Sequence, residues 1–206
     1  MVEIHDARVA GTFPVYPPKH RKAGKRRAWR AARALTRIDA FGIHHLGPTP
    51  LTFDPKPGQT VLERAVWRAK RLPYHVWVQP GLVVLAWPFE VNTWHGNTMN
   101  GRTVGIVVAG NFPSLESRRR PHHDDPADYA EAITATLQYL RGELPHVRLL
   151  LTHSQYANKP ADPGEGVAKL ITAAGRDMLP PLTPVPGLAV GTGAPWPHEW
   201  RMLGDT

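Results

Sequence analysis

The chain has no cysteine. Disulfides and thiolate ligands are therefore excluded, and any metal must be held by His, Asp or Glu. No apolar stretch approaches the roughly 18 residues needed to cross a bilayer. The first residues also lack the apolar core of a secretory signal, so synthesis in the cytoplasm without a signal peptide is expected. No internal repeat is visible, which argues against a solenoid or propeller. Acidic residues are scarce at one end, where residues 1–40 hold three Asp/Glu against ten Lys/Arg, a balance of +7. Of the net +8, only +1 is left for the rest of the chain. The basicity thus belongs to an N-terminal segment, and such a segment seeks a polyanion.

What is present is enough for one globular domain. At 206 residues and 42% hydrophobic content the chain can bury a sizeable core. Residues 1–37 read as a basic arm: an extended, proline-containing lead-in to residue 18, then an Arg/Ala-rich stretch expected as a basic helix from Gly24 onward, with Trp29 as an anchor. Residues 38–179 read as the body. A first strand runs from Ile38 to His45, and Thr60 caps a helix over 61–71. The runs 73–78 and 82–87, separated by Gln79-Pro80-Gly81, predict a hairpin. Another buried strand covers 103–110, a helix 127–144, a strand 147–151 and a last helix 166–179. Residues 180–206 read as a Pro/Gly-rich tail with Trp196 and Trp200 as anchors. Alternating strands and helices predict an α/β fold, a mixed central β-sheet flanked by helices.

The chemistry-bearing stretch is Thr152 to Gly164. An apolar strand delivers His153 at its end, and Asp162 follows nine residues later in a Pro/Gly turn. A histidine and a carboxylate fixed on either side of a short loop are two of the three protein ligands of a catalytic zinc. Another strand end, His44-His45, can supply the third. With eleven histidines in the chain, one alone carries no weight; the combination does. A two-His, one-carboxylate site with an open position suits hydrolysis, because bound zinc activates water near pH 7 and polarises a carbonyl. His122-His123-Asp124-Asp125 has ligand-type residues too, but consecutive residues in an irregular charged loop rarely converge on one ion, so it is read as solvated surface.

The pieces Ile43-His44-His45, Pro73-Tyr74-His75, Trp94-His95 with Asn100, Val104-Gly105-Ile106 through Gly110-Asn111-Phe112, and His153 through Asp162-Pro163-Gly164 occur in this order. In them the sequence resembles the zinc-dependent N-acetylmuramoyl-L-alanine amidases, a family that includes the peptidoglycan recognition proteins and phage amidase-lysozymes. The resemblance spans about residues 38–179. It implies an amidase/peptidoglycan recognition protein-like fold, with Zn2+ held by His44, His153 and Asp162. His44 is preferred to His45 because the family's ligand directly follows the apolar strand residue. The third ligand is Cys in some relatives and Asp in others. Tyr74 matches a tyrosine near the metal-bound water, and Lys159 a lysine that stabilises the oxyanion. Trp94, His95 and Asn100 match residues of the substrate cleft. Lys159 lies three residues before Asp162, where close relatives place it two before. Val107 stands where some Asp-type relatives carry a glutamate.

The resemblance implies a peptidoglycan hydrolase cutting the amide between N-acetylmuramic acid and L-alanine. The basic arm and the lack of a leader fit a phage or prophage endolysin that acts on the host cell wall, as a monomer, with the arm drawn to anionic wall polymers or the membrane surface. The alternatives are a bacterial recycling amidase and a non-catalytic peptidoglycan-binding module of the same fold. The module is disfavoured because all three ligand positions hold competent residues. Nucleic acid is not expected as a partner, since no nucleic-acid fold is visible.

Overall fold

The computed structural model describes residues 1–9, 32–46, 57–93, 95, 100–112, 124–153 and 162–184. Seven strands form one mixed sheet: β1 (Glu3–Asp6), β2 (Ala40–His45), β3 (Val76–Gln79), β4 (Leu82–Leu85), β5 (Thr103–Val108), β6 (Leu149–Thr152) and β7 (Thr183–Pro184). Their order is β1-β4-β3-β5-β2-β6-β7. The β3–β4 hairpin is antiparallel and the other pairs are parallel. Among the described residues three α-helices, α1 (Val61–Ala69), α2 (Ala130–Glu143) and α3 (Glu165–Arg176), accompany the sheet.

Local chemistry sets the element boundaries. Thr60 accepts the Glu63 amide N–H, and the Glu63 carboxylate reaches back to the Thr60 N–H, a capping box that starts α1. Asp125 accepts the Ala127 N–H and opens a 3-10 turn, Pro126–Tyr129, that runs into α2. Gly164 has φ of +90°, a value that side-chain-bearing residues rarely adopt, and it turns the chain from Asp162-Pro163 into α3.

The strand register sorts the core into two faces. Phe41, Ile43, Val104, Ile106 and Val108 point to one side, where they pack with Ile133, Leu137 and Leu140 of α2 and Val167 and Ile171 of α3. The alternate residues point to the other side. There Trp77, Val84 and Val107, which register with one another across three strands, meet Ala65 and Ala69 of α1. Because successive strand residues face opposite ways, His44, paired with Val107, and Gly42, paired with Gly105, belong to the α1 side. The site is built on that side.

The sheet reaches beyond residues 38–179 at both ends. Glu3–Asp6, expected in an extended lead-in, pairs with β4, and Thr183–Pro184, expected in the tail, pairs with β6. Both are edge strands. Such a strand needs only one hydrogen-bonded neighbour, so it carries little of the apolar patterning that marks a central strand. The end of the expected basic helix is also different. Ala32 forms an isolated bridge with Val91, and Leu35–Arg37 is a single 3-10 turn. Trp29, the body of that helix, Trp196 and Trp200 lie outside the described residues. No helix among the described residues is long and apolar enough to cross a membrane.

Candidate metal centre

β2 and β6 run parallel with Ile43 opposite Thr152. The next residue on each, His44 and His153, therefore turns to the same face at the strand ends. Their rings lie 4.4 Å apart between centroids. Asp162 comes in from the turn before α3. Its Oδ2 is 2.7 Å from His153 Nδ1, and its Oδ1 accepts the His45 backbone N–H at 2.8 Å. One donor atom from each of His44, His153 and Asp162 falls within 4.8 Å of the others, and this is the one such group among the described residues.

His44 is fully buried, and burial first, then the neighbouring His153 and His95, pushes its pKa well below the ordinary histidine range. It is therefore neutral, as a metal-binding imidazole must be. His45 is only half-buried and turns to the opposite face, where its Nδ1 meets the Phe112 N–H and its ring lies 6.2 Å from that of Phe112. The Tyr74 ring stands over the cluster, 4.8 Å from the His44 ring. The donor set suits zinc: two imidazoles and a carboxylate, with a hydroxyl-bearing ring beside them and no thiolate.

A second tier of polar groups lies behind His44, buried among the strands. His95 is 4% exposed. Its Nδ1 is 3.1 Å from His44 Nε2, its Nε2 faces the Thr103 carbonyl at 3.3 Å and hydroxyl at 3.1 Å, and its backbone N–H donates to Asn100 Oδ1. Burial, and the charge of Arg33, bring its pKa down to about 3. Gly105 makes room for this ring, since a Cβ there would come within 2.6 Å of it. His75 accepts the Gly105 N–H at Nδ1, which leaves the proton on Nε2, and this donates to the Val91 carbonyl at 2.8 Å. Burial and Arg33 likewise hold His75 well below the usual range.

Of the residues singled out from the sequence, His44, His153, Asp162, Tyr74, His95 and Asn100 come together here. Lys159 and Trp94 lie outside the described residues, as do His122 and His123. Asp124 and Asp125 of that run serve locally, receiving the Asn111 and Ala127 amides. The expected substrate contacts His95 and Asn100 are buried and occupied with the protein's own groups, which leaves little of either to meet a ligand. Sequence reasoning missed Arg33, Thr93 and Thr103, and it quoted His75 without giving it a task. The Pro73-Tyr74-His75 run held a usable signal for His75, because strand alternation puts it in one row with Trp77.

Fold and cluster together define an α/β protein with a His-His-Asp group built from two parallel strand ends and the turn before α3. The chain matches the model of the N-acetylmuramoyl-L-alanine amidase family (Amidase_2) over residues 34–165, and it belongs to that family. Its function accordingly lies in peptidoglycan hydrolysis. Among solved structures it is similar to the ectodomain complex of peptidoglycan recognition proteins LCa and LCx bound to tracheal cytotoxin, with 18% identity, 84% of this chain and 95% of that chain covered, and a TM-score of 0.51. It is also similar to Drosophila PGRP-LB, with 15% identity, 81% and 91% covered, and a TM-score of 0.50. A third is the endolysin N-acetylmuramoyl-L-alanine amidase LysCS from Clostridium intestinale URNW, with 18% identity, 84% and 95% covered, and a TM-score of 0.49. At these identities the likeness concerns the fold. No curated protein sequence matches the chain.

Proposed function

We propose that the protein is a zinc-dependent amidase that hydrolyses the bond between the lactyl group of N-acetylmuramic acid and L-alanine, with His44, His153 and Asp162 as the metal ligands. The observation that carries this reading is the convergence of those three donors within 4.8 Å of one another in a chain of this family. A filled ligand set is what a non-catalytic wall-binding module would have no need to keep. When bound, zinc supplies the Lewis acidity that generates a nucleophile near pH 7 and polarises the scissile carbonyl.

The protein's own groups supply the rest. His44, held neutral by burial, offers a lone pair without first losing a proton. The His45 backbone N–H and His153 hold the Asp162 carboxylate in place from its two oxygens. Tyr74, beside His44, is placed to orient the attacking water or to pass a proton to the leaving amine. By resemblance, Lys159 contributes a cation near the developing oxyanion. The biological setting we propose is a phage or prophage endolysin, with residues 38–179 as the catalytic body and the basic N-terminal segment drawn to anionic wall polymers.

The test joins metal analysis to product analysis. Purified protein should hold about one zinc per chain, as three protein ligands and an open position require. Mass spectrometry of digested peptidoglycan should find stem peptides with a free L-alanine amino group and glycan strands with free lactyl carboxyls. New reducing sugar ends, or cleavage inside the stem peptide, would overturn the bond assignment. Intact peptidoglycan in the presence of stoichiometric zinc would overturn catalysis.

A further inference from the structure

Arg33 lies in the basic N-terminal segment, yet it is 8% exposed. Its backbone N–H donates to the Glu90 carbonyl at 2.8 Å. Its Nε donates to the Phe89 carbonyl at 2.9 Å, and its Nη1 donates to the Asn100 carbonyl. Its Nη2 lies 3.2 Å from His75 Nε2. No carboxylate pairs with the guanidinium among the described residues; burial is the first cause that brings its pKa down to about 10, and Glu90 opposes this only at a distance. A buried cation without a counter-ion is a large cost to a fold unless its hydrogen bonds are put to use.

Those bonds join two backbone carbonyls that are distant along the chain. Phe89 and Asn100 mark the two ends of the stretch that carries His95, and one planar fork ties both carbonyls together. Beside them the Asn100 side chain takes the His95 N–H, and His95 meets His44. The Thr103 carbonyl can only accept, so it favours the His95 tautomer with its proton on Nε2. His95 Nδ1 then accepts from His44 Nε2–H, which leaves the lone pair of His44 on Nδ1 for an ion. Metal-ligating histidines usually donate their second N–H to an outer partner that fixes both ring angle and tautomer. In this chain that partner would be a neutral imidazole, itself held by Asn100.

We infer that Arg33 is a positioning residue for the metal centre: it ties the Phe89 and Asn100 carbonyls together so that His95, held by Asn100, orients the ring and tautomer of His44. The inference rests on the reading of His44 as a zinc ligand. It moves His95 from a substrate contact to an outer partner of the metal, and it gives one residue of the basic segment a task unrelated to polyanions.

The test compares wild type, Arg33→Lys, His95→Gln and His95→Phe by competition titration with Zn2+, by the visible spectrum of the Co2+-loaded protein, by kcat and KM on a soluble muropeptide, and by Tm. Lysine keeps the charge but lacks the planar fork that meets the Phe89 and Asn100 carbonyls from two separate nitrogens. It should weaken zinc binding, by no more than the loss in His95→Phe, where removal of the outer partner itself should cost about 10- to 100-fold. It should also alter the Co2+ spectrum and lower kcat more than it raises KM. His95→Gln keeps an acceptor and should lie between wild type and His95→Phe, which keeps the volume and loses the acceptor. Unchanged zinc affinity and Co2+ spectrum in Arg33→Lys, with only Tm lowered, would make Arg33 a purely structural plug and overturn the inference. If Arg33→Lys does not fold, the two His95 variants decide, and zinc affinity equal to wild type in both overturns it. A wild-type protein that takes up no Zn2+ sinks the reading of the site itself, which is a different failure from equal affinities across the variants.

Discussion

On one side of β2 and β5, Phe41, Ile43, Val104, Ile106 and Val108 pack with two helices in an apolar core, with His45 at its edge. On the other side the alternate residues of the same strands include Gly42, His44 and Gly105, under a tier formed by His75, His95, Arg33, Asn100, Thr93 and Thr103. The first side is held by removal of apolar surface from water, a non-directional force. The second is held by directional bonds whose members each need a partner. The difference shows how one sheet can be rigid and reactive at once: the apolar face fixes where the strands lie, and the polar face uses that rigidity to aim imidazoles. The glycine pairing marks the switch, because Gly105 leaves the hollow that the His95 ring fills.

Adjacent residues of one strand give the sharpest contrast, and the largest effect. His44→Ala should abolish zinc binding, whereas His45→Ala, whose ring faces Phe112, should keep about one zinc per chain. Zinc lost from His45→Ala and retained by His44→Ala would reverse the assignment of the two faces.

A lesion on the apolar face should leave the site alone. Leu137→Ala, in the α2 packing, should cost about 2–5 kcal/mol of stability through lost burial and the cavity left behind. Zinc stoichiometry per folded molecule should not change. Denaturant unfolding with metal analysis of the folded fraction would check both, and a fall in zinc at unchanged stability would couple the faces more tightly than the packing suggests.

The smallest effect per step comes from acid. His44, His75 and His95 all have lowered pKa values in the folded state, with burial as the first cause. Below about pH 6.5 the unfolded chain takes up protons that these three cannot, so stability present above that pH is lost as pH falls toward their folded values, about 3 for His95. The slope should be at most ~1.4 kcal/mol per pH unit for each imidazole. Urea midpoints of chelator-treated protein between pH 7 and pH 5 would measure it, and His95→Gln should flatten it. A midpoint that does not move would mean these histidines stay protonated inside the fold.

The apolar face was legible in the sequence because strand and helix periodicities are written in residue types: the runs at 103–110 and 147–151 and the spacing through Ile133, Leu137 and Leu140 all fell where the elements stand. Element ends moved by a few residues, as at α3, where Glu165–Arg176 replaces 166–179. The polar face was legible in part. His44, His153 and Asp162 could be picked out as ligand types at strand ends and turns, but the choice of His44 over His45 came from resemblance. Arg33 was illegible for a physical reason. In an Arg/Ala-rich segment one arginine looks like its neighbours, and its burial follows from where Phe89 and Asn100 fold back, a contact spanning 56 and 67 residues of chain. The outer strands were missed because Glu3-Ile4-His5-Asp6 and Thr183-Pro184 pair on one side only, which demands little of the apolar patterning of a central strand.

The parallel pairing of β1 with β4 changes what the basic segment can do. Arg8, just past β1, bonds to Asp6, Glu143 and the Tyr139 hydroxyl and lies over the Phe89 ring. At the far end Ala32 bridges to Val91 and Arg33 is locked beneath it. The described residues on either side of 10–31 are thus both tied to the sheet. Removing residues 1–37 would strip an edge strand and the Arg33 fork along with the charge, so such a truncation cannot isolate electrostatics; neutralising lysines and arginines within 19–30 can.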